Sequence, residues 1–190
     1  RAALSALTAA ARHGNEGYAD SQTADCRSGQ EHGADSKTVK DDAAYDAFFK
    51  ATWTAAEQET GYYHIACIDC KRGEYALALE HIERSLVKNY HNLKARALKG
   101  LILDSLGRNM EAERWYEENL KLDAFDYVSR IESGDIEGAL RLMNGRASSF
   151  IECAIDYAEA GYYADAIFIL ECCPAPTPMA WYHLALYAAL

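Results

Sequence analysis

Between Gly61 and Asp126 apolar and polar positions alternate with the 3.6-residue rhythm of amphipathic helices, and they do so twice. The segments GYYHIACIDCKRGEYALALEHIERSLVKNYHN and LKARALKGLILDSLGRNMEAERWYEENLKLDAFD are two copies of one pattern. Gly73 and Gly107 lie 34 residues apart, as do Ala78 and Ala112, and Leu86 and Leu120. Ala66 and Gly100 share a small-residue slot, and Ile82 and Tyr116 a large apolar one. The pattern predicts a first helix over Gly61–Arg72 and a second over Tyr75–Val87. Gly73 lies between them, where glycine adopts a positive φ cheaply and ends a helix. Ala78 then allows close helix approach, and Ile82 and Leu86 continue one apolar stripe. Each copy is one supersecondary unit that buries its apolar face on its neighbours.

The flanking sequence extends this organisation. Residues 1–12 read as the end of a helix, and residues 13–40, with four glycines and little periodic apolar content, as an irregular connector. Asp41–Glu59 predicts a helix with acidic residues at its N-terminus and a face of Tyr45, Phe48, Phe49, Trp53 and Ala56. It is expected to pack on the helix at Gly61–Arg72. The full copies occupy 60–93 and 94–126. Residues 127–145 read as a degenerate copy with Gly134, Ala139 and Met143 in the turn, small and large slots. Gly107 to Gly134 is only 27 residues, so a shorter first helix is expected, with a local change in superhelical path. Residues 147–173 return to the pattern with Ala154, Gly161, Tyr163, Ala166 and Leu170. All three prolines fall in Cys173–Met179, which must be a loop. Ala180–Leu190 matches the first helix of another copy through Trp181, Leu184 and Ala185, without its second helix. A chain that begins at Arg1 and stops inside an apolar helical pattern reads as a piece of a longer protein, and the apolar face of that last helix would want a partner.

A 34-residue helix–turn–helix period resembles the tetratricopeptide repeat (TPR). The resemblance covers about residues 60–190 and implies an all-α fold, an α-α superhelix: a TPR-like solenoid of antiparallel helix pairs. Asp123-Ala124 stands where the family commonly has Asp-Pro, which weakens that turn signal. A narrower likeness lies in AAYDAFFKATWTAAEQETGYYHIACIDCKRGEY and SLVKNYHNLKARALKGLILDSLGR. These look like the TPR-bearing C-terminal region of large, mostly uncharacterised bacterial proteins, whose N-terminal domain of unknown function has a carbohydrate-active-enzyme-like β fold. The resemblance implies that chemistry belongs to such a domain. It also implies that first helices line a concave groove for a protein or peptide. Carried over, the groove slots are Tyr63, His64, Cys67 and Lys71, then Lys94, Ala97, Leu98, Leu101 and Ser105. Further along they are Ile151, Glu152, Ile155 and Glu159, and finally Tyr182, His183 and Leu186. Lys71 and Lys94 alone fall short of the Lys/Arg set that clamps a peptide's terminal carboxylate.

Charge narrows the partners. The net charge is −10 and the pI about 5.0, which excludes a general phosphate-backbone binder and disfavours anionic membrane surfaces. No apolar run reaches bilayer length. Of the six cysteines, four sit at helical, mostly apolar positions, the usage of reduced thiols in a cytoplasmic protein. Cys67-Ile-Asp-Cys70 is a C-x-x-C without a second pair at zinc spacing, and it lies mid-helix, where a thiol gains no acidity from the helix N-terminus. His13 and His32 fall in the connector at spacings that fit no metal motif. His64, His81, His91 and His183 are dispersed, and no nucleophile, metallohydrolase or phosphate-loop motif occurs. Tyr90, His91 and Asn92 cluster between copies and are expected to shape the turn. Asp69 and Asp104 recur at about the repeat period without making an acid–base pair. The expectation is a non-catalytic scaffold with no cofactor or metal, contacting proteins or other domains of its own chain. Alternatives are an accessory helical domain of a larger, carbohydrate-active bacterial enzyme, or self-association through Asp41–Glu59 and Ala180–Leu190.

Overall fold

The structure is a computed structural model that describes residues 31–190, with side chains described from residue 41. The expected helix at 1–12, most of the connector, His13 and Cys26 lie outside the described residues. All regular structure among the described residues is α-helix. The order is α1 (Glu31–Ala51), α2 (Gln58–Lys71), α3 (Tyr75–Lys88), α4 (Leu93–Ser105), α5 (Asn109–Leu122), α6 (Tyr127–Glu132), α7 (Ile136–Met143), α8 (Ala147–Glu159), α9 (Tyr163–Glu171) and α10 (Pro178–Ala188). The chain divides into two units, residues 1–47 and 48–190.

Two features of α1 correct the sequence reading. It begins at Glu31 rather than Asp41, so residues 31–40 are helix and not connector. Glu31, Asp35, Lys37 and Lys40 favour helix without giving it an apolar stripe, so periodicity is silent there. It also stops at Ala51, short of Glu59. The hydroxyls of Thr52 and Thr54 donate to the carbonyls of Phe49 and Ala51 at 2.7 and 3.0 Å. Such side chain–backbone bonds compete with helix continuation. Trp53 is thereby turned outward, 74% exposed, and Phe49 is exposed as well. Phe48 of that expected aromatic face stacks on α2, its ring 4.6 Å from His64.

In the second unit α2 through α7 pack each on the next in sequence, as do α8, α9 and α10, and α4 also packs on α6 and α8 on α10. One turn recurs four times. Gly73, Gly107, Gly134 and Gly161 have φ of 75°, 72°, 92° and 87°. After each, the next residue's N–H reaches back to the carbonyl five residues earlier: Glu74 to Asp69, Arg108 to Leu103, Asp135 to Arg130, Tyr162 to Tyr157, at 2.9–3.1 Å. This is the Schellman closure, which only a left-handed residue permits cheaply. Five residues beyond each glycine stands an alanine, Ala78, Ala112, Ala139 or Ala166, all at 0% exposure. Nine beyond stands a buried large side chain: Ile82, Tyr116, Met143 or Leu170. The same three offsets thus recur at all four turns.

Copy three departs in length. Helices α6 and α7 have 6 and 8 residues, against 13 or 14 in α2 to α5. Both arms of the hairpin are short, so it covers only part of its neighbours. The helices flanking it, α4 and α8, share one core through Ala97, Leu101, Cys153 and Tyr157. Arg96 anchors α6 from beneath. It is 0% exposed, with its guanidinium 4.4 Å from the Tyr90 ring and 4.2 Å from Trp115. Its Nε donates to Asn119 at 2.8 Å, and Asn119 donates to Ser129 Oγ at 2.9 Å. The Tyr90 ring, in the cluster expected to shape the turn, covers a buried cation.

Candidate functional site

The first helices of copies one and two, α2 and α4, bring their inner slots against copy four. Tyr63 is buried, and its hydroxyl donates to Glu159 at 2.9 Å, 96 residues away. Ser105 Oγ and Tyr162 Oη are 2.9 Å apart, and Ser105 also donates to the Leu101 carbonyl. Lys94 Nζ lies 2.6 Å from Asp156 Oδ1, an approach of opposite charges rather than a well-directed hydrogen bond. The stem of Lys71 lies under Gly161, where an added Cβ would meet Lys71 Cγ at 3.1 Å. The contacts pair tyrosine and lysine from α2 and α4 with carboxylates from α8.

The expected groove residues therefore divide. Tyr63, Cys67, Ala97, Leu98 and Leu101 are buried in the core. His64, half-buried, and Lys71, Lys94, Ser105 and Glu159 gather at the seam between the copies. Ile151 and Ile155 are half-buried on α8, and Glu152 is exposed there. Tyr182 and Leu186 are exposed on α10, and His183 Nδ1 lies 3.0 Å from Tyr187 Oη. The inner slots of copies one and two are occupied by copy four, and the open ones lie on α8 and α10.

Burial governs the acidity of the seam. It pushes the Tyr63 hydroxyl well above its ordinary range, reinforced by Cys67 and Glu159. It pushes the Cys67 thiol up to about 12, and raises Cys70 and Cys153 similarly, so none is a ready nucleophile. His64 is lowered by burial and by nearby Lys71 and Lys94, against the pull of Glu159. Burial also opposes the charge on Lys94, but Asp156 and Glu159 outweigh it and raise the amine. Asp156 is nonetheless raised, because burial with Glu159 and Asp126 nearby outweighs Lys94.

The shortened end of the copy-three hairpin leaves a cleft of about 200 Å³. Leu93, Lys94 and Ala97 of α4 form one wall, and Glu152, Cys153 and Asp156 of α8 another. The segment Asp123–Val128, without Ala124, closes it. Asp126 caps α6 by accepting from the Ser129 amide at 3.0 Å. Its second oxygen, Oδ2, is buried without a hydrogen-bond partner, and burial pushes the Asp126 carboxyl above the usual carboxylate range. Asp126 and Asp123 were not among the groove slots, because the cleft comes from a missing stretch of helix rather than a slot of the period. The short spacing to Gly134 was the available signal. Asp69 and Asp104 prove structural: Asp69 bonds His81 at 2.7 Å and Asp104 accepts from Tyr116 at 2.8 Å, each tying a first helix to its second.

Among the described residues no three His, Cys, Asp or Glu side chains converge as metal ligands, and no helix is long and apolar enough to cross a membrane. No protein-family model matches the chain, and no curated protein matches it.

Proposed function

We propose that the chain is a non-catalytic scaffold, a superhelix of antiparallel helix pairs of the TPR kind, that holds an apolar segment of another protein on α10. The observation that carries this reading is the composition and exposure of α10. Its sequence, PMAWYHLALYA, holds no acidic or basic residue apart from His183. Only Ala180 and Tyr187 are buried, while Met179, Trp181, Tyr182 and Leu186 are exposed by 56%, 59%, 61% and 39%. Contiguous exposed apolar surface of this kind marks contact sites, and aromatic residues anchor such contacts. Two expected groove residues, Tyr182 and Leu186, lie within it. The filled seam of copies one and two supports a role there as internal cement.

The test is a photo-crosslinking amino acid placed at Trp181 and, as a control, at the isolated exposed Val87. A discrete crosslinked protein species from position 181 alone, lost in Leu186→Glu, is the expected result. Equal capture at both positions, or none, refutes the reading. A crosslink between two copies of the chain replaces it with self-association.

A further inference from the structure

The cleft at the short hairpin is the feature that the scaffold reading leaves unused. Four of its lining side chains are carboxylates, Asp123, Asp126, Glu152 and Asp156, against one ammonium, Lys94. An acidic cluster alone signifies nothing beyond solvated charge. Here, however, Asp126 is only 9% exposed, and although Ser129 bonds it and Arg96 lies near enough to favour its charge, its Oδ2 has no hydrogen-bond partner of its own. The remaining walls are apolar or aromatic: Leu93, Ala97, Val128, Tyr127 and Phe125, the last 62% exposed at the rim. The carboxylates do not converge as metal ligands. Separated acceptors, an apolar passage and an aromatic rim suit a cation that is flat, has several donors and sits on an aliphatic stem.

We propose that the cleft receives an arginine side chain presented by a protein partner, with the guanidinium between Asp126 and Asp156 and its stem along Phe125. Lys94 already places one cation against Asp156 and would swing outward, being half-exposed. The net charge of −10 favours encounter with a basic segment. Burial holds both Asp126 and Asp156 above the ordinary carboxylate range, outweighing Arg96 and Ser129 at the first and Lys94 at the second, so further positive charge would favour both. This inference rests on the contact reading but uses a surface distinct from α10.

The experiment titrates the isotopically labelled chain with acetyl-Gly-Arg-Gly-amide and with its neutral citrulline counterpart, following backbone amide resonances. Saturable shifts confined to residues 93–97, 123–128 and 152–156 are expected for the arginine peptide, with binding roughly tenfold weaker or more for citrulline. Asp126→Asn should weaken arginine binding by a similar factor while keeping the Ser129 cap, since asparagine caps as well as aspartate. Asp156→Asn, which caps nothing, provides a second variant should the first perturb folding. Equal response to citrulline, shifts elsewhere, no saturation, or indifference to both substitutions overturns the proposal. Methylguanidinium binding as tightly as the peptide also overturns it, in favour of a small-molecule site. Peptide binding with a negative crosslinking result at Trp181 would sink the α10 reading alone, and the reverse outcome would sink this one alone.

Discussion

Gly100→Ala tests how the repeat trades side-chain volume between its two helices. A Cβ at position 100 would lie 2.1, 2.7 and 2.8 Å from Cε1, Cζ and Cδ1 of Tyr116. Carbon atoms rest at about 3.5–4.0 Å, so the ring must retreat by over about 1 Å. It has little room, being 2% exposed and bound to Asp104 through its hydroxyl. Overpacking costs about 1–3 kcal/mol. Straining the charge-assisted bond to Asp104 adds about 1 kcal/mol. The better helix propensity of alanine returns about 1 kcal/mol. The net expectation is a loss of about 1–3 kcal/mol, or roughly 2–12 °C in melting temperature for a domain of this size. Copy one solves the same contact with Ala66 and Ile82, both 0% exposed. Tyr116→Ile alone should cost about 2–4 kcal/mol by leaving a void beside Gly100. The double variant Gly100→Ala/Tyr116→Ile rebuilds the copy-one pair and should be more stable than the sum of the single changes by about 1–3 kcal/mol. Urea unfolding followed by far-ultraviolet circular dichroism measures all four proteins. Additivity within about 0.5 kcal/mol would refute the idea that these two positions form one packing unit.

Three further outcomes are expected. Tyr63→Phe removes the bond to Glu159 and should destabilise the fold by about 1–2 kcal/mol, and a change below about 0.3 kcal/mol in urea unfolding would show that the seam contributes nothing there. Alkylation at pH 8 mapped residue by residue should modify Cys172, half-exposed, well before Cys67, whose thiol at about 12 is held on the order of 10³-fold below an ordinary thiol in thiolate content; comparable rates would contradict its burial. Asp126 has a folded pKa above the ordinary 3.8, so the folded state binds its proton more tightly than the unfolded chain, and its contribution is lost as pH rises through the folded value. Asp126→Asn should therefore gain stability relative to the parent as pH rises from about 3 toward neutrality, and a pH-independent difference would show that the carboxylate is not strained.

The sequence carried the repeat because its signals are local and recurrent. Turn glycines, the alanines five residues on and the large side chains nine residues on are fixed by the geometry of one hairpin, so they appear at fixed offsets. The contacts that decide the site are not periodic. Tyr63–Glu159 and Ser105–Tyr162 join residues 96 and 57 apart, distances that depend on how sharply the intervening helices turn the chain. Nothing in Tyr63 itself says that a carboxylate from copy four fills its slot. The shortening of copy three was readable from Gly134, but its product, a cleft closed by Asp123 and Asp126, required knowing which ends of the arms were lost. The early start of α1 was hidden because a helix without an apolar face has no apolar rhythm. Its early end was hidden because threonine hydroxyls act on the backbone and leave the hydrophobic pattern intact.

The short hairpin shows how a binding cavity can arise by subtraction. Gly107 to Gly134 and Gly134 to Gly161 both span 27 residues, seven fewer than the 34 of the full repeat. Seven residues are about two helical turns, so their loss shortens an arm by about 10 Å while rotating what remains by only about 20°. Every surviving side chain keeps its facing. A deletion far from a whole number of turns, such as two or five residues, would rotate the apolar stripe away from its neighbours. Helical arrays can therefore acquire pockets in quantised steps, and restoring seven residues to each short arm should fill this one.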